Sequence, residues 1–255
     1  MIPIKKGKDL ECMREACTIA AAVLHRMLAS IKVGMTTYDL DQIGKRLMAE
    51  YGAESTSYNY RAGKNVFPCY SCISLNEELV HGIASMQRSI QTGDIVSIDV
   101  ALRYKGFVGD NAATVCVGEV SNDVKKLVDV TQKALEVAID QVRPGNRIGD
   151  ISNAVQRYVE SNGMNVVRDF VGHGVGRDMH EEPQIPNYGP SGKGPEMKPG
   201  MTLALEPMVM LGHYAVEILQ DGWTVVTKDR MPCAHFEHTV LVTEKDPEVL
   251  TLYKI

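Results

Sequence analysis

Apolar residues recur at three- and four-residue spacing in four stretches of the chain. Leu10, Met13, Cys17, Ala20, Leu24 and Met27 mark a helix from about Lys8 to Ser30. Leu40, Ile43 and Leu47 mark a second, opened by Thr36 or Thr37 as N-cap and stopped at Gly52. A third follows Ser121-Asn122-Asp123, with Val124, Leu127, Val128, Leu135 and Ile139 on one face, and ends before Pro144-Gly145. A fourth runs from about Ile148 to Asn162 and stops at Gly163. Between and after these pairs lie β-branched runs broken by glycine turns, which read as antiparallel strands.

The pattern repeats. Gly34–Gly52 and Gly145–Gly163 span equal lengths and carry Asp39 and Asp150, Leu40 and Ile151, and Arg46 and Arg157 at matching places. The segments "GDIVSID" (93–99) and "GMTLALE" (200–206) each read turn, apolar strand, terminal acid. A duplicated helix-plus-antiparallel-sheet half follows: an α+β fold, one domain over 1–255, with halves of about 1–120 and 121–255 related by a pseudo-twofold. Equivalent acids would then face each other at the centre.

Those acids stand in apolar surroundings, where an unpaired carboxylate is costly. Asp99 ends one strand, and Asp110 lies in the next. With Tyr104 and Lys105 as turn residues, the two aspartates would stand directly opposite, with Cβ atoms roughly 4.5–5.5 Å apart. Glu206 in "LALEPM" and Glu237 in "HFEHTVLV" repeat the theme, reflected about the hairpin signal Asp221-Gly222, so their strands are expected to return side by side with the ladder interrupted at Pro207 and over 228–232. Among the histidines, His173 sits between glycines in "VGHGVG", His180 follows in "RDMHEEP", and His81 lies beside a glycine in "LVHGI". His25, His213, His235 and His238 read as surface or core residues. Glu77-Glu78 and Glu181-Glu182 read as solvated, and the Gly/Pro-rich stretch 189–200 as a flexible loop.

Two Asp, two Glu and one His form an oxygen-rich donor set with one nitrogen. It suits two divalent ions such as Mn, Fe, Co or Zn rather than a thiolate-bound structural zinc. Two such ions about 3.5–4 Å apart can hold a water and deprotonate it near neutral pH, so the expected reaction is metal-assisted hydrolysis.

Composition narrows the partners. Lys plus Arg is 27 against 32 for Asp plus Glu, a net charge of −5 with a pI near 5.8. That leaves no basic excess for nucleic-acid phosphates. The apolar stretch Ile19–Leu24 is far short of a membrane span and lacks a signal-peptide layout, so a cytoplasmic protein is expected. The six cysteines are then reduced thiols. Cys69-Cys72, a single CxxC, reads as structural or pocket-lining.

The segments "SLNEELVHGI" (74–83), "GDIVSIDVALRYKGFVGDNA" (93–112), "VGHGVGRDMHEEPQIPNYG" (171–189), "KPGMTLALEPM" (198–208) and "DGWTVVTKDRMPCAHFEHTVLVT" (221–243) closely resemble a type I methionine aminopeptidase of the pita-bread fold. The resemblance covers essentially the whole chain. It implies metal ligands Asp99, Asp110, His173, Glu206 and Glu237. It implies that His81 and His180 contact the substrate and stabilise the tetrahedral intermediate, and that Glu206 shuttles a proton. By position, Phe67, Cys72, Met179 and Trp223 would line the methionine pocket. The implied activity removes the N-terminal methionine of nascent polypeptides when the second residue is small, by a monomer that needs neither membrane nor nucleic acid; a ribosome contact stays open. Met179 replaces a more usual Phe, and Asn111 a more usual Thr or Ser. Rival readings are a proline-specific pita-bread peptidase, a mononuclear iron oxygenase and a non-catalytic binding module of the same fold.

Overall fold

Capping chemistry sets where three of the four helices of the described residues begin. The computed structural model describes residues 2–253; Met1, Lys254 and Ile255, included in the expected span, lie outside the described residues. Helix α1 spans Gly7–Ser30, α2 Thr37–Glu50, α3 Asn122–Asp140 and α4 Ile148–Ser161. The Thr36 hydroxyl accepts the Asp39 N–H while the Asp39 carboxylate accepts the Thr36 N–H, a capping box. Asp150 accepts the Arg147 N–H at the same place in α4. The repeated aspartate is therefore a helix-start signal.

The duplication continues through the backbone. Gly34 donates to Ile90 C=O and Gly145 to Met197 C=O; Gly93 donates to Val117 C=O and Gly200 to Val242 C=O. These glycines have φ of 86°, 89°, 97° and 90°, a region where a Cβ is strained. The stretch 189–200 is irregular but not free. Gly192 N–H and the Ser191 hydroxyl donate to Asp150, and Lys193 C=O accepts the Gly149 N–H.

The largest sheet is antiparallel. Its spatial order is Glu54–Ser55, Ile95–Tyr104, Phe107–Cys116, Glu237–Leu241, Thr202–Leu205, Val171–Gly174 and Glu181–Pro186; Cys72–Leu75 and Glu248–Val249 pair beside this path. The two halves meet where Glu237 pairs with Ala112. Val96, Ile98, Val100 and Leu102 pack with α1 and α2 residues such as Leu24, Met27 and Leu40. Strand alternation then turns Asp99 to the other face. In the second half, Leu203, Leu205 and Val240 pack with Leu127, Leu135 and Ile151 of α3 and α4. Gly109 marks where α1 crosses: a Cβ there would lie 2.5 Å from the Ala16 carbonyl oxygen, so its neighbour Asp110 points away from the helix.

One expected register is corrected. The turn between the aspartate strands is Lys105-Gly106, not Tyr104-Lys105, because a two-residue hairpin turn of this hand needs positive φ at both positions and Gly supplies the second. Asp99 pairs with Ala112 and Asp110 with Ala101, so the aspartates are diagonal rather than directly opposite. The slip is two residues, which keeps both on one face. The second hairpin keeps its expected reflection wherever its strands pair, with the strand pairing lapsing between the Met210/Cys233 pair and the Val216/Thr227 pair. Leu205 pairs with His238, Met208 with His235, and Ile218 with Val225, all about Asp221-Gly222. Pro207 does not break the path, since its C=O accepts the Phe236 N–H.

Candidate active site

Asp99, Asp110 and Glu237 on three neighbouring strands, and Glu206 just past the end of a fourth, converge on one cavity of about 530 Å³. Asp110 and Glu237 are buried, Asp99 and Glu206 nearly so, and His173 points its Nε2 at Glu206 Oε1 at 3.4 Å and Asp110 Oδ2 at 3.9 Å. Donor atoms of Asp110, His173 and Glu237 lie within 4.8 Å of one another. The glycines around His173 permit this approach: a Cβ at Gly172 would meet the Ala204 oxygen at 2.5 Å, and one at Gly174 the Glu182 oxygen at 2.2 Å. The His173 Nδ1 faces the Gly174 carbonyl oxygen at 2.9 Å. With Nδ1–H donating there, Nε2 is left as a lone-pair donor toward the acids.

Burial pushes the Asp99 carboxyl up to about 7, partly opposed by its hydrogen bond with the Cys72 thiol. Asp110, Glu206 and Glu237 are pushed well above the carboxylate range, first by burial and then by each other's charge and that of Asp99. Glu237 Oε1 is buried without a hydrogen-bond partner. Mutually repelling acids, one orphaned oxygen and one properly oriented imidazole fit a divalent cation, whose charge would reverse these shifts.

This charge crowding predicts a pH effect on protein stripped of metal with a chelator. A group whose pKa is raised by folding contributes stability that is lost as pH rises through the folded value. The buried histidines act oppositely, but only below their ordinary value near 6.5; His81 and His173 fall to about 4 and His235 to about 3, so above pH 6.5 they are neutral in both states. Between pH 6.5 and 8 the carboxyls therefore govern, and Tm of the chelated protein should fall. Added Mn or Co should raise Tm more at pH 8 than at pH 6.5. A flat Tm across that window, with equal metal shifts, would contradict the assignment.

Next to the acids lies an apolar recess. Phe67, Cys69, Cys72 and Trp223 form one buried cluster, with the Phe67 and Trp223 rings edge-on at 5.4 Å. Met179 lines the cavity and accepts the Thr56 hydroxyl at its sulfur at 3.3 Å. His81 sits at φ 59°, a strained conformation for a non-glycine residue, with its ring against Phe170 and Trp223. His180 stands at the mouth, its ring 4.6 Å from that of His173 and its Nδ1 3.2 Å from the Tyr60 hydroxyl. Every residue singled out from the sequence as ligand, catalyst or pocket wall lines this cavity.

The model of metallopeptidase family M24 matches residues 11–244. The chain belongs to that family. Within it, this M24 peptidase is 47% identical over 251 residues to methionine aminopeptidase 1 of Bacillus subtilis, covering 98% of this chain and 99% of that protein. A solved methionine aminopeptidase from Thermotoga maritima superposes with a TM-score of 0.94 at 44% identity, covering 98% of this chain and 99% of that one. The prolidase of Pyrococcus horikoshii shares the fold alone, at a TM-score of 0.79 and 22% identity, over 98% of this chain and 64% of that one. Family membership brings divalent-metal chemistry, and its methionine aminopeptidases remove N-terminal methionine. Among the described residues, no helix is long and apolar enough to cross a membrane.

The M24 site also holds residues that sequence reasoning set aside. His235 is 2% exposed, lines the cavity, and its unpartnered Nε2 lies 3.9 Å from Glu206 Oε2. The signal was present, since the reflection about Asp221-Gly222 sets His235 opposite Met208, two residues from Glu206. Tyr60 and Phe170 gave no such signal. Glu78 is buried, accepting the Leu75 N–H and pairing with Arg88, and Glu181 is half-buried with its carboxylate paired to Lys5. Neither is the solvated residue expected.

Proposed function

We propose that this M24 peptidase removes the N-terminal methionine of new polypeptides whose second residue is small, the whole chain working as one monomeric catalytic unit in the cytoplasm. The carrying observation is that the acid-and-imidazole cluster opens into the recess of Phe67, Cys72 and Trp223, with Met179 beside it. Such a recess takes one unbranched apolar side chain, and chemistry beside it is confined to the first peptide bond. Asp99, Asp110, His173, Glu206 and Glu237 would hold two ions, drawn from Mn, Fe, Co or Zn by the mixed oxygen and nitrogen donors. When bound, the ions supply Lewis acidity and acidify a water toward neutral pH.

The chain's own groups do the rest. Burial keeps His81 neutral at pH 7, with its pKa lowered to about 4, and lowers His180 as well. Neutral imidazoles donate N–H to the carbonyl oxygen as negative charge develops there. The Glu206 carboxylate accepts the proton of the attacking water and returns it to the departing amine as the C–N bond breaks. The test compares metal-dependent cleavage of Met-Ala-Ser and Met-Leu-Ser. A collision between the second side chain and the rim prevents attack geometry, so kcat/KM should be at least about a hundredfold higher for Met-Ala-Ser. Equal rates would overturn the small-residue rule, and cleavage of Xaa-Pro dipeptides instead would favour the prolidase-like reading.

A further inference from the structure

The segment leading into α1 reaches the turn that carries His180. Lys5 is 5% exposed, and its Nζ donates to Glu181 Oε2 at 2.6 Å. The Glu181 side chain is 9% exposed, and its other oxygen accepts the N–H groups of Arg177 and Asp178 at 2.9 and 3.4 Å. One buried carboxylate thus closes the turn 177–181, from which Met179 and His180 enter the cavity. The arm bearing Lys5 is itself fixed. Lys5 N–H donates to Gly200 C=O at 2.8 Å, and a Cβ at Gly200 would lie 2.7 Å from Ile4 and 2.8 Å from the Lys5 oxygen.

The last glycine of "GHGVG" belongs to the same arrangement. A Cβ at Gly176 would lie 2.5 Å from both Glu181 Oε1 and Lys5 Cε, so any side chain there would break into the pair. Outside it, Arg177 pairs with Asp9 at 2.9 Å and lies over the Phe107 ring at 4.4 Å. A buried ion pair is poor evidence of net stability, because desolvation offsets the attraction. What this pair does supply is a fixed position for the turn.

We propose that Lys5 is a positioning residue for His180: its ammonium pins Glu181, and Glu181 pins the turn from which His180 reaches the substrate carbonyl. The inference rests on His180 contacting the substrate. Displacing a catalytic donor by a fraction of an ångström reduces rate without abolishing binding. Lys5→Met should therefore lower kcat on Met-Ala-Ser about tenfold, with KM and bound metal nearly unchanged.

The deciding measurement is a double-mutant cycle with His180→Ala. Where His180 is already absent, Lys5→Met should change kcat less than about twofold. Should Lys5→Met fail to fold because Glu181 is left buried and unpaired, Lys5→Met/Glu181→Gln carries the same comparison with no buried charge stranded. Equal losses with and without His180, or no loss at all, would overturn the clamp while leaving the role of His180 standing. A wild-type kcat in His180→Ala would overturn the reading of His180 and the clamp with it.

Discussion

Glu206→Gln should lower kcat on Met-Ala-Ser by about two orders of magnitude or more, with Tm close to that of the parent. Gln keeps the shape and one oxygen donor but removes the charge and the proton acceptor. In the proposed mechanism Glu206 is the acid that transfers the proton. It directly follows the strand Thr202–Leu205 at the cavity, His173 Nε2 lies 3.4 Å from one of its oxygens, and Pro207 follows. Its carboxyl is pushed well above the usual range by burial and by the charges of Asp110 and Asp99, so removing its charge also relieves crowding. The variant should fold at least as well as the parent. Because Glu206 is also proposed as a ligand, metal content is measured alongside rate. A metal-saturated variant with near-normal turnover would remove Glu206 from the proton path.

The second large effect concerns His180. His180→Ala should reduce kcat about a hundredfold while bound metal stays near the parent level. The His180 ring is edge-on to that of His173 at 4.6 Å, but its Nδ1 is directed at the Tyr60 hydroxyl. When the Tyr60 hydroxyl donates to Nδ1, the proton sits on Nε2, where it can be donated to a developing oxyanion. Its loss removes a transition-state interaction, so kcat should fall further than KM rises. Metal analysis separates the two readings of this imidazole. If His180→Ala emptied the site of metal, His180 would be a ligand and the division among histidines would be wrong.

The helices were legible in the sequence because capping and apolar spacing act locally. Ser121 caps α3 by accepting the Val124 N–H, and Thr36 caps α2, both as their residue types suggest. The duplication was legible because it repeats turn glycines whose positive φ cannot drift. The aspartate hairpin turns one residue later than expected, because its turn needs positive φ at both positions and Gly106 supplies the second. The burial of Glu78 and the ion pairing of Glu181 were not legible. Each depends on a cation distant in the chain or in an irregular segment, Arg88 for one and Lys5 for the other. Tyr60 was hidden for the same reason, since its partner His180 is brought to it only by the folded loops.

The reflected hairpin around Asp221-Gly222 restricts how this protein can change in length. Its outgoing strand carries Glu206, its return carries His235 and Glu237, and Trp223 stands at the turn. Side chains alternate faces, so losing one residue within Val216–Ile218 would shift the register against Val225–Thr227 and turn the outgoing side chains beyond that point to the opposite face of the ladder. It would also unseat Ile218 from Val225 and move Trp223 off Phe67. A matching loss on the returning side would restore the pairing across the arm. Viable deletions and insertions within these paired strands should therefore arise as compensated pairs, one on each side of the turn.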